Sequence, residues 1–237
     1  MCAFRVTSPK QISDKIIPHF DKYILITKKQ ANYRLFKEII MLIIKGEHLK
    51  EVGLQTIINI RASFNLGLSE VLKTAFPNTI PIIRPLVQKA EIPHHEWMAG
   101  FITGDPCFGA SGKRGCFFIK INKNRNKAGV GVQLVFQVSQ HIRDQELLKS
   151  FVSYFNCGQY INSLKKEWGY FQCTKFSYIY NIIIPFCSQH SIRGIKGKDF
   201  LEWVKAAEII NKGDHLTREG SSKIISIKTG MNTGRYL

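Results

Sequence analysis

Trp97-Met98-Ala99-Gly100-Phe101-Ile102-Thr103-Gly104-Asp105 is the stretch on which the fold turns. Apolar residues fill most of it, so 97–104 reads as a short buried helix. Ala99, Gly100 and Gly104 put small side chains on one helical face, and a face without bulk lets a second helix approach backbone to backbone. Asp105 stands at the end of that helix. Two such helices side by side would bring two carboxylates together, and paired carboxylates beside phosphate oxygens hold divalent metal ions. Taken alone, a short buried helix with an acidic end serves a structural role equally well.

Downstream of this helix the periodicity changes from helical to alternating. Residues 116–122 and 130–140 predict a β-hairpin across a turn at 123–127, then 144–154 a helix with Leu147, Leu148, Phe151 and Val152 inward. A second strand pair is expected over 159–163 and 169–175. Along 130–140, Val132, Leu134, Phe136 and Val138 alternate with Gly131, Gln133, Val135, Gln137 and Ser139. Lys120 and Asn122 belong to the polar side of the partner strand, and Tyr170, Gln172 and Thr174 to that of the last strand. A β-ribbon presenting Gln, Asn, Lys and Tyr suits base edges and phosphates, the plain alternative being a solvated sheet face. Lys113, Arg114, Lys123, Arg125 and Lys127 fall on two neighbouring loops and are assigned to phosphate contact.

The chain also repeats itself. Residues 4–67 lie over 171–234 without a gap at a shift of 167 (171 − 4), matching Ile16-Ile17-Pro18 with Ile183-Ile184-Pro185, Lys29 with Lys196 and Gly53 with Gly220. The turn Lys45-Gly46-Glu47-His48-Leu49 matches Lys212-Gly213-Asp214-His215-Leu216. The second copy carries upstream material, 96–170, that the first copy lacks, so the first is expected to be a truncated remnant. In the first copy, a strand is expected over 4–7 and a helix over 10–19 closed by Pro18. A helix over 27–45 follows, with Tyr33, Phe36, Ile39, Ile40, Ile43 and Ile44 on one face, and another over 51–62. Pro77, Pro81, Pro85 and Pro93 mark the best boundary in the chain. The expected domains are 1–71, the remnant; 72–95, a proline-rich linker that includes His94 and His95; and 96–237, the complete repeat.

The 237 residues carry a formal charge of +17 at a pI near 9.7. Concentrating that charge costs self-repulsion that a polyanion relieves, so nucleic acid is the expected partner. No run of 18 apolar residues exists, so no membrane span is expected. The six cysteines show no paired CxxC spacing and are read as reduced, mostly buried thiols, with a Cys107–Cys116 bridge as the alternative. His48 and His215 hold equivalent repeat positions and are read as fixing a helix start rather than binding metal. The abundance of Ile, Lys, Asn and Phe fits an AT-rich genome, such as a mitochondrial one.

The order of elements, the motif WMAGFITGD and the tandem repeat resemble the LAGLIDADG homing endonucleases in their single-chain, two-repeat form. Further matching segments are Gly131–Asp144, Cys173-Thr174-Lys175 and the Lys-Gly-Glu/Asp-His-Leu turn. The resemblance implies an α+β saddle, here one complete αββαββα half plus the C-terminal part of a second. It implies Mg²⁺-dependent double-strand DNA cleavage, and in some members an RNA maturase role instead. It assigns Asp105 to the acidic metal-ligand position and Gln133 to a polar position near the active site. The basic residue expected on the third strand falls near Asn162, which supplies no charge; Lys165 is the nearest alternative.

With one acidic helix end in 237 residues, the reading taken from the sequence is a mitochondrial, organelle-encoded nucleic-acid-binding protein that does not cleave on its own. It would bind structured RNA, as a maturase or ribosome-associated component, or DNA, through the basic sheet face. The alternative is an active Mg²⁺-dependent homing endonuclease completed by a second such helix. In either case a protein partner or a second copy is expected to cover 97–104, because an uncovered apolar face is unstable in water.

Overall fold

The computed structural model describes residues 4–64, 66–87, 91–104, 115–123, 129–163 and 167–232. The chain forms two compact units, Met1–Ala90 and Glu91–Leu237.

The first unit is helical: α1 (Pro9–Gln11), a π turn (Ile12–Ile16), α2 (Ile17–Lys22), α3 (Lys29–Ile44), a 3₁₀ turn (Glu47–Leu49), α4 (Glu51–Ala62) and α5 (Glu70–Ala75). Ile12, Ile17 and Ile40 form a core cluster, with Val6, Ile16 and Phe36 packed on it. Pro18 does not close the helix, as the sequence predicted; the chain stays helical to Lys22. The backbone N–H of Ile17 donates to Ile12 O, five residues back, and this wider turn places Pro18 in the first turn of α2, where a missing N–H goes unfelt. The face expected on α3 is also shifted: Gln30, Ala31, Leu35 and Ile40 are buried, while Ile44 is exposed. The expected strand over 4–7 is absent. A strand exists only through pairing, and no described residue of this unit pairs with it.

Beyond α5 the proline-rich stretch is extended and tied back to the helices. Asn59 Oδ1 accepts from Ile80 N at 3.1 Å, Ser63 Oγ donates to Ile82 O at 2.7 Å, and Arg84 donates to Asn32 Oδ1 at 2.8 Å. Proline removes ladder donors from this arm, so side chains of α3 and α4 supply its partners.

The second unit runs α6 (His95–Gly104), β1 (Phe117–Lys123), β2 (Val130–His141), α7 (Gln145–Phe155), β3 (Gln159–Asn162) and β4 (Trp168–Cys173). Then come α8 (Phe176–Tyr178), a π turn (Ile179–Ile183), α9 (Ile184–Gln189), α10 (Gly194–Asn211), a 3₁₀ turn (Asp214–Leu216) and α11 (Arg218–Thr229). The antiparallel sheet has the order β1-β2-β4-β3. One face is covered by α7, whose Phe151 and Phe155 rings meet Phe171 at 5.8 Å each, and by α10, whose Phe200 and Trp203 rings lie 5.2 and 5.3 Å from Phe117. Trp203 Nε1 donates to Phe118 O, so the largest buried side chain of the unit satisfies its one donor on β1. Asn232, just past α11, accepts Gly115 N–H on Oδ1 and donates Nδ2 to Phe117 O, which fixes the entry into β1.

His94 and His95, assigned to the linker, instead begin α6: His94 Nδ1 accepts the N–H of Trp97, an orphan donor of the first turn, and His95 is the first helical residue. Cys116 is disulfide-bonded, against the reading of six reduced thiols, because cysteine spacing does not encode oxidation state. Cys157, Cys173 and Cys187 are free and buried. No described helix is long and apolar enough to cross a membrane.

Candidate nucleic-acid interface

In an antiparallel sheet, residues directly opposite one another point to the same side. The register pairs Asn122 with Gly131 and Lys120 with Gln133 between β1 and β2. It pairs Gln137 with Gln172 and Ser139 with Tyr170 between β2 and β4, and Gln159 with Gln172 and Ile161 with Tyr170 between β3 and β4. Lys120, Asn122, Gln133, Gln137, Ser139, Tyr170 and Gln172 therefore share the face opposite α7. Thr174 follows the end of β4 at the parity of Gln172.

The face is not uniformly open. Asn122, Lys123, Gln133 and Gln159 are exposed, and Lys120, Tyr170, Gln172 and Thr174 are half-buried. Gln137 and Ser139, assigned to nucleic-acid contact, are only 7% and 2% exposed. Their polar atoms bond within the sheet: Gln172 Nε2 donates to Gln137 Oε1 at 3.0 Å, and Gln137 Nε2 donates to Ser139 Oγ at 3.2 Å. Asn162 pairs with Gly169, one step out of phase with Gln159 and Ile161, and so lies on the α7 side. A four-residue strand gives too little alternation for the sequence to fix its phase. Gln159, Ile161, His141 and Trp168, the last 41% exposed, belong to the open face and were not assigned to it. Asp105, Lys113, Arg114, Arg125 and Lys127 lie outside the described residues.

At the far end of α6, Ala99 is buried, whereas Gly100 and Gly104 are exposed, and a Cβ on either glycine would meet nothing within 4 Å. The open edge of this helix is thus the Gly100/Gly104 pair, with Ala99 turned into the core of its own unit. Lys196 Nζ donates to Ile102 O at 2.8 Å. A cation on the carbonyl end of a helix satisfies an orphan acceptor and counters the negative end of the helix dipole. It also sets a positive charge at the end of α6, three residues before position 105. Sequence reasoning sought this charge on the third strand and missed it; the matched pair Lys29/Lys196 in the repeat was the available signal.

Burial pushes the thiols of Cys157, Cys173 and Cys187 up, Cys173 to about 12, so none is a thiolate at neutral pH. Among the described residues no group of three or more His, Cys, Asp or Glu is arranged to hold a metal ion.

The family model of the LAGLIDADG endonucleases matches residues 1–40 and 98–207. A curated protein of Neurospora crassa named "Probable intron-encoded endonuclease 2" is 35% identical over 238 residues, covering 96% of this chain and 49% of its own length. The chain thus spans about half of that relative. "Probable intron-encoded DNA endonuclease 1" of Mycosarcoma maydis is 25% identical over 207 residues, covering 82% of this chain and 72% of its own. Among solved structures, the I-SmaMI LAGLIDADG homing endonuclease bound to cleaved DNA is 41% identical with a TM-score of 0.90, over 96% of this chain and 73% of its own. I-GzeII in complex with its DNA target is 44% identical with a TM-score of 0.85, over 96% and 75%.

Proposed function

Since the chain belongs to the LAGLIDADG endonuclease family, with one complete αββαββα half and part of a second, we propose that it binds duplex DNA and serves site-specific double-strand cleavage. This prefers the cleaving alternative to the non-cleaving reading, whose ligand was structured RNA or DNA, because similar chains across nearly its full length are endonucleases held on DNA. The observation that carries the proposal is at the end of α6, where a glycine edge stands open beside a lysine that neutralises the helix's carbonyl end. An open backbone edge fits a second helix of the same kind, and a positive charge there fits the phosphate whose bond is broken.

In this reading the sheet face lies against base edges, Lys120 and Lys123 contact phosphates, and Lys196 holds the end of α6 in place. The second acidic helix comes from another stretch of a longer polypeptide or from a second chain. A magnesium ion takes about six oxygen ligands. Asp105 is one carboxylate, so in this reading the ion takes further oxygens from the second helix and from the DNA itself. When bound it supplies charge neutralisation at the leaving oxygen and activation of water. An intron-encoded origin agrees with the names of the relatives, and a mitochondrial one with the AT-rich residue usage.

The test is selection of bound duplexes from a randomised DNA pool, followed by cleavage in Mg²⁺ with the completing helix supplied. Asp105→Asn is expected to abolish cleavage and to leave binding within about threefold. Binding should weaken steeply with salt, as phosphate contacts require. Preference for structured RNA over every selected duplex at equal salt overturns the proposal.

A further inference from the structure

The two ends of α6 are held by different groups. At the far end Lys196 Nζ donates to Ile102 O at 2.8 Å, and the Arg193 N–H donates to Thr103 Oγ1 at 3.4 Å. At the near end the grip comes from α7 and from the residue that follows α9. His95 Nδ1 and the Tyr154 hydroxyl of α7 lie 2.5 Å apart. His190 Nδ1 lies 3.2 Å from Glu96 Oε1. Its own backbone N–H first, and His190 after it, hold the Glu96 carboxyl below its ordinary value. A carboxylate only accepts, so His190 donates from Nδ1. The rings around these bonds interlock: His190 lies 5.0 Å from His95 and 5.0 Å from Phe186, and Tyr154 lies 5.9 Å from Phe186.

Apolar packing sets the depth of α6, through Met98 and Ile102, both 0% exposed. Direction is set by hydrogen bonds, which weaken steeply off their axis. Gly104 lies nine residues beyond His95 (104 − 95), about 13 Å along the helix, and Asp105 is next. A tilt of about 10° at the first turn moves that end by about 2 Å. A misplacement of about 1 Å is enough to cost a reaction about a hundredfold. We propose that Tyr154 and His190 are positioning residues for cleavage: gripping His95 and Glu96, they set the direction in which α6 delivers Asp105. Both stand on the α7 side of the sheet, where Phe186 of α9 meets Phe155 of α7 at 5.1 Å, away from the face assigned to DNA. The inference rests on the cleaving reading above and deepens it.

The test is single-turnover cleavage of a selected duplex in Mg²⁺, with the completing helix supplied, beside Kd for the same duplex without divalent metal. A rate constant read on bound duplex does not depend on the folded fraction, so a side chain that only stabilises the fold leaves it unchanged. Tyr154→Phe keeps the ring and removes the hydroxyl; it should lower the rate constant about tenfold and leave Kd within about threefold. Glu96→Ala should do the same. Glu96→Gln still offers His190 an acceptor oxygen and should recover the rate to within about threefold of wild type. His190→Ala should match Glu96→Ala, and the two combined should cost no more than either alone, because they remove one bond. Rate constants equal to wild type in Tyr154→Phe and Glu96→Ala overturn the inference, as does a Kd that rises in step with each loss of rate. A wild type that cleaves no selected duplex overturns the cleaving reading itself, and this inference with it.

Discussion

Residues 9–62 and 176–229 run through the same succession of conformations in the two units. Each has a π turn before proline, a long helix, a glycine in the left-handed region (Gly46 at φ 73°, Gly213 at φ 78°), a 3₁₀ turn and a twelve-residue helix. Immediately before them the likeness stops: residues 4–7 are unpaired chain, whereas Phe171–Cys173, their counterparts, are the end of β4. The buried positions of the helices differ as well, in both directions: Leu35, Ile58 and Ile60 are buried where their equivalents Glu202, Ile225 and Ile227 are not. Trp203, Ala206, Ala207 and Ile224 are fully buried; of their equivalents, Phe36, Ile39 and Ile57 are only partly so and Ile40 is buried. Helices, caps and turns are encoded locally and appear in both copies. A strand is encoded by its partners and appears where the sheet is, and which helical positions are buried follows what packs on them.

The sharpest way to break this comparison is to truncate the equivalent aromatics. Trp203→Ala removes a side chain that is 0% exposed together with its bond to Phe118 O, and should cost about 3–5 kcal/mol. Phe36→Ala removes a partly buried ring and should cost about 1–2 kcal/mol. Hydrogen-exchange protection read separately on peptides from each unit measures both. Equal losses would show that the first unit is as tightly packed as the second.

The same division explains what the sequence made legible. The helices of both copies and the four strands of the second unit lie within a few residues of their expected bounds, because helical and alternating periodicities are local signals. The polar face of β2 followed from alternation, but its buried middle did not, since alternation gives the side of a sheet and not what covers it. The expected strand at 4–7 failed for want of a neighbour. Asn162 failed on phase, at the end of a strand of four residues. Lys196 was missed because it reaches Ile102 across 94 positions of sequence, a proximity that only the packing of α10 near α6 creates. Asp105 was read at the end of its helix and Gln133 on the polar side of its strand; their assignment to the active site came from the resemblance.

A second pair of variants should give equal results, and so tests the local half of the comparison. Gly53 and Gly220 sit in the first turns of α4 and α11, where the chain folds back on the 3₁₀ turn. A Cβ on either would stand 2.1 Å from a carbonyl oxygen, that of Glu47 or that of Asp214. Because backbone must move to relieve this, Gly53→Ala and Gly220→Ala should each cost about 1–3 kcal/mol. Urea unfolding followed by unit-specific exchange protection measures the two. Losses differing by more than about 1 kcal/mol would mean that this turn, too, depends on its surroundings.

The smallest effect is electrostatic and confined to one copy. Lys37 Nζ lies 2.6 Å from Asp21 Oδ2, and the Tyr33 hydroxyl lies 2.7 Å from Asp21 Oδ1. The equivalent positions in the second unit, Ser188 and Val204, hold no charge. The hydrogen bond from Lys37, then that from Tyr33, holds the Asp21 carboxyl below its ordinary value. A depressed carboxylate stabilises the fold above its unfolded value, near 4, and loses that contribution as pH falls through the folded value. Both charged groups are more than a third exposed, so the contribution is about 0.2–1 kcal/mol. Asp21→Asn should therefore lower protection of the first unit slightly at pH 7, less at pH 3, and leave the second unit unchanged at both. A cost that stays the same at pH 3 would trace the effect to the shape of the Asp21–Tyr33 contact rather than to its charge.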